Sequence, residues 1–213
     1  MRPELYWISG SAPSWRVMLA FTLKGVPFTS KRLDHGAGEN KTASYLSLNP
    51  KGQVPTVVFG GTVIRESIAI LAWMDRAFPE CPIFGDTADH SAAIWQDIMI
   101  MEGDLRAPVA ATAQGLLRGR VIEPATVEQL SRLMDGYEER LTELTFLGGE
   151  TAMAADIWLY PALHWIARGV TLSDRPPPKI ASLVQDRPAI EGWMIRMREL
   201  PGVDQTYPPH WRD

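Results

Sequence analysis

The first part of the chain alternates between short apolar runs and amphipathic stretches, a pattern typical of a mixed α/β domain. Residues 5–8 form an apolar run that predicts a buried strand. Residues 15–24 carry apolar side chains at helical spacing, with Ser14 as the expected N-cap and Gly25 as the stop. Residues 27–33 alternate in part and predict a second strand, parallel to the first through the intervening helix.

A strand pair and a helix follow. Residues 42–48 predict a short helix, and residues 56–59 and 62–65 predict two strands. Gly60-Gly61 between these strands is a two-residue hairpin signal. Residues 66–77 then predict a helix. The resulting order is βαβ followed by ββα, which we assign to a first domain at residues 1–78.

After this domain the pattern is helical throughout. Residues 79–88 hold two prolines and a glycine and predict a linker, so a second, all-α domain is expected at residues 89–213. We expect Pro108 to bend the first helix of this domain, at residues 89–117. The third helix, at residues 153–168, is apolar all round, which indicates a central, buried position. The predicted helices are residues 89–117, 124–144, 153–168, 179–185 and 188–200, followed by a surface-packed tail at residues 201–213.

Composition narrows the classes of function. The formal net charge of −4 gives no indication of a nucleic-acid partner or an anionic membrane surface. The single cysteine, Cys81, excludes an internal disulfide and is typical of a reducing compartment, so we expect a cytoplasmic protein. No apolar run is long enough for a membrane span. The four histidines are scattered, so no metal site is expected.

The stretch from residue 49 to residue 59 suggests a ligand. Pro55 stands at a strand entrance, where a proline is tolerated, and Val54-Pro55 is a candidate cis peptide. This arrangement would leave the backbone N–H and C=O of Val54 unpaired and able to bind a peptide-like molecule as an added strand does. Glu66 and Ser67 lie at a helix start, where backbone N–H groups attract a carboxylate.

Four motifs together resemble the cytosolic glutathione S-transferases over nearly the whole chain. They are Ser11-Ala12-Pro13-Ser14-Trp15-Arg16-Val17, Asn49-Pro50-Lys51-Gly52-Gln53-Val54-Pro55, Glu66-Ser67-Ile68-Ala69-Ile70 and Ala154-Ala155-Asp156-Ile157. The chain is most similar to the serine type, near the zeta class and tau-like bacterial members. The resemblance implies a thioredoxin-like, glutathione-binding first domain, an all-helical second domain with the second-substrate pocket, and a homodimer.

The resemblance also assigns roles to residues. It makes Ser11 the hydroxyl that stabilises the glutathione thiolate, with Ser9 as the alternative. It makes Val54 and Pro55 the backbone clamp, and Glu66 and Ser67 the partners of the γ-glutamyl group. The simpler interpretation of Ser11 is an ordinary loop serine.

The remaining contacts are less specific. Lys51 is our first choice for the glycine carboxylate, and the other candidates are Lys41, Asn40 and Gln53. A zeta-class contact maps to Asp104 and would reach the glutathione of a partner subunit. Met101 is a candidate for the second-substrate pocket, and so is Arg168, which is otherwise a last-turn cation at a helix end.

The resemblance implies a transferase in which glutathione attacks a small hydrophobic electrophile. A maleylacetoacetate-isomerase-like activity is an alternative that would use Arg168, although the zeta Ser-Ser-Cys start is replaced by Ser11-Ala12-Pro13. A catalytically silent glutathione-binding or scaffold protein is the other alternative. Serine rather than cysteine at position 11 argues against a thiol reductase. Asp156 belongs to a helix-capping motif and is expected to act in folding, with Met153 replacing the usual Ser or Thr.

Overall fold

A computed structural model describes residues 1–212 of the chain. The chain forms two compact units, one of residues 1–83 with the segment from Leu200 onward, the other of residues 84–199. Each unit holds its own buried apolar core. The boundaries therefore differ from the expected ones, chiefly because the tail belongs to the first unit.

The first unit is a four-stranded mixed sheet with three α-helices. Its elements are β1 Glu4–Trp7, α1 Ala12–Leu23, β2 Thr29–Arg32, α2 Ala43–Leu48, β3 Thr56–Phe59, β4 Thr62–Arg65 and α3 Ser67–Ala77. The strand order is β2-β1-β3-β4, with β1 parallel to β2 and the other pairs antiparallel. The predicted βαβ-ββα, thioredoxin-like domain is confirmed.

The strand register brings several loops to one end of the sheet. Trp7 pairs with Arg32, Tyr6 pairs with Thr56, and Thr56 pairs with Arg65. The carboxyl ends of β1, β2 and β4 therefore lie beside the amino end of β3. We call this end of the sheet the site end, because the loops that leave it carry most of the candidate residues.

Helix α1 begins earlier than the sequence indicated. Its N-cap is Ser11 rather than Ser14, and Pro13 lies in the first turn, where the missing N–H costs no hydrogen bond. Ser14 is fully buried inside the helix instead. The helix packs on α3, and Phe21 of α1 and Leu71 of α3 are both fully buried.

A buried lysine joins α1 to the segment after α3. The ammonium of Lys24 donates to Asp75 at 3.0 Å and to the carbonyl oxygens of Glu80 and Cys81 at 3.1 and 2.8 Å. The same Asp75 oxygen accepts the N–H of Ile83 at 2.7 Å. The beginning of the predicted linker is thus tied to the first unit.

The tail packs on α1, contrary to its expected place in the helical domain. The indole N–H of Trp15 donates to Thr206 at 2.6 Å. The rings of Tyr207 and Trp211 meet the Trp15 ring edge-on, at centroid distances of 5.4 and 5.9 Å. A buried indole N–H needs a hydrogen-bond acceptor, and Thr206 of the tail supplies one for Trp15. This contact is a physical reason for the tail to return to α1.

The second unit is all helical, as predicted. Its helices are α4 Ala88–Ile100, a π-helical turn Met101–Leu105, α5 Arg106–Leu117, α6 Pro124–Glu143, α7 Ala154–Leu172, α8 Pro178–Ala181 and α9 Pro188–Glu199. Within residues 1–212, no helix combines the length and the apolar character that a membrane span needs.

The long α4–α5 stretch is interrupted by the π-turn, which ends three residues before Pro108. Pro108 has no N–H to donate to the carbonyl of Asp104, one α-helical turn earlier. The side-chain amide of Gln129 donates to that carbonyl instead, at 3.4 Å. The carbonyl that Pro108 leaves without its helical donor belongs to Asp104, which lies within the π-turn. The proline is therefore linked to an irregularity one turn earlier in the helix.

Helix α7 runs through the core of this unit and is buried nearly all round, as its composition indicated. Asp156 in its first turn is fully buried and accepts four hydrogen bonds. The donors are the backbone N–H groups of Leu147 (2.8 Å), Gly148 (3.1 Å) and Met153 (2.9 Å) and the indole of Trp193 (2.8 Å). Burial nevertheless raises the pKa of Asp156. The carboxylate supplies the capping that a Ser or Thr at position 153 would have shared.

Candidate functional site

Ser11 stands at the site end, between β1 and α1, and is half-buried. Its hydroxyl oxygen accepts the N–H of Ser14 at 3.3 Å, as an N-cap does. A hydroxyl has one hydrogen to donate and two lone pairs, so this cap uses acceptor capacity only. The O–H of Ser11 remains available as a donor to an anion, close to the positive end of the α1 dipole.

Val54 precedes β3 at the same end of the sheet, and the predicted cis peptide between Val54 and Pro55 is confirmed. Within residues 1–212, no hydrogen bond uses the backbone N–H or C=O of Val54. The turn before it is held rigidly, because the carbonyl of Gln53 accepts from Tyr45 (2.6 Å) and Asn49 (2.8 Å). Burial raises the pKa of Tyr45, which keeps its hydroxyl in the protonated, donating form.

Glu66 adopts an unusual backbone conformation at the start of α3. Its φ is 65° and its ψ 118°, in a region that L-amino acids other than glycine rarely adopt. Such strain is concentrated at binding and active sites, where the surrounding structure maintains it. Ser67 follows as the first helical residue, 9% exposed, so its hydroxyl and the first α3 amides lie together.

Lys51, our first choice for the glycine carboxylate, is paired with Glu66. Its ammonium lies 2.7 Å from the Glu66 carboxylate, and both side chains are largely exposed. Lys51 is therefore next to the residues assigned to the γ-glutamyl end of the ligand. Surface pairs of this kind contribute little to stability, so the contact can open when a ligand competes for it.

The other candidates for that carboxylate surround Gly52. Asn40 is buried and donates to the carbonyl of Gly52 at 2.8 Å, so it has a structural partner already. The ammonium of Lys41 donates to the carbonyls of Lys51 and Gly52, each at 3.2 Å, and is otherwise exposed. The side chain of Gln53 is exposed beside them.

Three predicted residues lie in the helical unit. Met101 is fully buried, so it is a core residue rather than part of a surface that a ligand reaches. Asp104 is exposed in the π-turn. Arg168 is half-buried within α7, four residues before its end, rather than in its last turn.

A cavity of about 470 Å³ opens at the site end, on the β1–β2 side. It is lined by Ile8, Ser9, Arg32, Leu33, His35 and His210, among others. Ser9 and His210 share a hydrogen bond of 2.7 Å between Oγ and Nδ1. The sequence analysis missed Arg32, His35 and His210 as site residues. Position at the end of β2 or just after it was the only signal for the first two, and no signal marked the third.

No three His, Cys, Asp or Glu side chains of residues 1–212 lie close enough together to hold a metal ion.

The chain is similar in sequence to known proteins. Residues 10–77 match the glutathione S-transferase N-terminal domain. Glutathione S-transferase A of Pleuronectes platessa is 26% identical over 97% of this chain and 92% of its own. Glutathione S-transferase 1 of Dianthus caryophyllus is 37% identical over 48% of this chain and 47% of its own.

The fold has close counterparts among solved structures. A glutathione S-transferase from the Antarctic clam Laternula elliptica superposes with a TM-score of 0.83 at 24% identity, covering 100% of this chain and 95% of its own. The similarity between the two structures extends over both units of this chain. The chain is thus similar in sequence to glutathione S-transferases, most clearly in its first domain, and similar in fold to their solved structures.

Proposed function

We propose that the protein is a serine-type glutathione transferase in which Ser11 stabilises the glutathione thiolate. The observation that carries this function is the position of Ser11 at the site end, where its cap bond to Ser14 leaves the O–H free to donate. A thiolate accepts that hydrogen bond better than a thiol does, so the contact lowers the thiol pKa.

Glutathione, an extended γ-glutamyl peptide, fits the groups that surround Ser11. Its cysteinyl backbone pairs with the free N–H and C=O of Val54 beside Pro55, and its γ-glutamyl carboxylate meets Ser67 and the first α3 amides. Glu66 holds the ammonium. For the glycine carboxylate we favour Lys41 and Gln53, since Lys51 is paired with Glu66.

The chemistry follows from the thiolate. The sulfur forms a bond to an electrophilic carbon, the leaving group departs with its bonding electron pair, and the thiol proton is released to water. Ser11 is a donor to the sulfur throughout and is never a nucleophile.

A direct test measures the pKa of bound glutathione by thiolate absorbance, together with turnover of several electrophiles. Ser11→Ala is expected to raise that pKa and lower kcat about 100-fold, the usual effect of removing one oxyanion donor. Ser47→Ala, on the exposed face of α2, is the matched control. An unchanged kcat in Ser11→Ala would eliminate the thiolate role.

Two other functions are less well supported. An isomerase would need Arg168 to bind a dicarboxylate, and Ala12-Pro13 lack the polar groups of the zeta start. A silent scaffold that does not bind glutathione would not need the strained Glu66 or the unpaired backbone groups of Val54. Glutathione binding without turnover of any electrophile would favour the scaffold.

We also propose a homodimer. One face of α4 exposes Trp95, Met99 and Ile100, at 36%, 63% and 47%. An apolar strip of this kind on one helix face is typical of a surface covered by a partner. Asp104 lies one turn further along, in keeping with its assigned contact to a partner's glutathione. Light scattering of Met99→Lys against wild type tests this, with loss of the dimer as the expected result.

A further inference from the structure

We infer that the cavity beside Ser9 binds the electrophile and that the favoured electrophiles carry a carboxylate or similar anion, anchored by Arg32. This inference rests on the proposed transferase function and adds the substrate class. Its basis is the position of the cavity, the chemistry of its wall, and the state of its charged groups.

The position follows from the strand order β2-β1-β3-β4. Val54, Glu66 and Ser67 belong to the β3–β4 side of the site end, whereas the cavity lies on the β1–β2 side. Ser11 follows β1, between the two, and is only two residues beyond Ser9. A sulfur held by Ser11 therefore has glutathione's backbone on one side and the cavity on the other.

The size and wall suit a small molecule with a polar end. A volume of about 470 Å³ lies in the range of small-ligand pockets. Ile8 and Leu33 supply apolar surface, and Ser9, Arg32, His35 and His210 supply hydrogen-bonding groups. A purely apolar electrophile would leave the Arg32 side chain facing it without a hydrogen-bond partner, which costs binding energy.

The charged side chains in the cavity wall differ in how many of their hydrogen-bonding groups are free to bind a ligand. Asp34 accepts the N–H of Ala37 at 3.1 Å, and Glu39 accepts the N–H of Asp34 at 2.7 Å, so one oxygen of each carboxylate is held by the loop, although each group keeps its charge. The Arg32 guanidinium, in contrast, forms no hydrogen bond or ion pair within residues 1–212. The guanidinium lies over the ring of Trp7, 5.8 Å from the centroid. A planar guanidinium with free donors suits a carboxylate.

The adjacent strand residue provides a matched control. Lys31 precedes Arg32, and successive strand side chains point to opposite faces. Lys31 is 3.4 Å from Glu4 and does not line the cavity. It carries the same charge as Arg32 one position away on the same strand, so its substitution controls for the loss of one positive charge.

The experiment compares chlorodinitrobenzene with chlorodinitrobenzoate, the same activated ring with an added carboxylate. In both, a carbon–sulfur bond forms, the carbon–chlorine bond breaks, chloride leaves with the electron pair, and the thiol proton goes to water. The readout is the ratio of kcat/KM for the benzoate to that for the neutral substrate, in wild type, Arg32→Met, Arg32→Lys and Lys31→Met.

We expect Arg32→Met to lower this ratio about tenfold or more, Arg32→Lys to restore part of it, and Lys31→Met to leave it unchanged. Calorimetry of the two glutathione conjugates should give the same order without turnover. An equal ratio in Arg32→Met and Lys31→Met, with both substrates still conjugated, overturns the anionic substrate class and leaves the transferase function intact. Absence of glutathione binding and of both reactions in wild type overturns the proposed function, and the inference with it.

Discussion

The ammonium of Lys51 lies 2.7 Å from the carboxylate of Glu66, a residue held at a φ of 65°. This contact joins the turn before β3 to the start of α3, across the site end. It turns the lysine toward the γ-glutamyl side of the proposed glutathione site and leaves Lys41 as the exposed cation beside Gly52.

The two lysines are therefore expected to differ in their effect on glutathione affinity. Lys41→Met removes the proposed partner of the glycine carboxylate and should weaken binding about tenfold, the equivalent of one charge-assisted hydrogen bond. Lys51→Met frees the Glu66 carboxylate for the ligand ammonium and should change the Kd less than about twofold. Calorimetric titration with glutathione measures both. The reverse order would restore Lys51 as the carboxylate ligand.

His164 makes stability depend on pH. Burial, with a smaller contribution from Arg198, lowers its pKa from 6.5 to about 4. The unfolded chain therefore binds a proton as the pH falls below 6.5 while the native protein does not, so the free energy of unfolding decreases until the pH reaches about 4. The loss amounts to about 3 kcal/mol over this range, from 1.36 kcal/mol per unit.

Urea denaturation at several pH values checks this in wild type and His164→Asn. The variant should lack this part of the acid sensitivity. The raised pKa of Asp156 acts in the opposite direction and is present in both proteins, so their difference isolates the histidine. Parallel pH curves for the two proteins would contradict the assignment.

Two helix-interior glycines should respond oppositely to alanine. A Cβ on Gly169 in α7 would lie 2.9 Å from the Cβ of Leu116, whereas one on Gly136 in α6 would meet nothing within 4 Å. Gly169→Ala is expected to cost about 1–3 kcal/mol through overpacking between α5 and α7. Gly136→Ala should stabilise by up to about 1 kcal/mol through helix propensity. Thermal unfolding distinguishes them, and the same sign for both would refute the packing argument.

Asp156 should be among the most important polar residues for folding. Its removal in Asp156→Ala leaves the indole of Trp193 and three backbone N–H groups without their acceptor, at about 1–3 kcal/mol for each group that stays dry. We expect a loss of about 4 kcal/mol or more by chemical denaturation. Asp156→Asn keeps one acceptor oxygen and should lose less. The exposed Asp174→Asn is the control. A loss below about 1 kcal/mol in Asp156→Ala would show that the network is dispensable.

Local patterns in the sequence predicted the element types, the βαβ-ββα order, the cis peptide at Val54-Pro55 and the central burial of α7. These features depend on near neighbours: side-chain periodicity, a Gly60-Gly61 turn, and a proline that cannot donate to a ladder. The boundaries of the helices were predicted less accurately from the sequence. A cap at Ser11 rather than Ser14 is decided by one hydrogen bond that both residues had the chemistry to make.

Relations between distant residues were decided only by the tertiary structure. The tail joins the first unit because Trp15 and Thr206 form a hydrogen bond across 191 positions, and His210 reaches Ser9 across 201. Lys51 turns to Glu66 because β3 and β4 are antiparallel and bring both residues to one end of the sheet. Such contacts depend on where each element lies in space, and periodicity along the chain carries no information about that. The sequence alone therefore predicted Ser11 and Val54 as candidate site residues, and only the fold brought Arg32 and His210 together in the cavity at the site end.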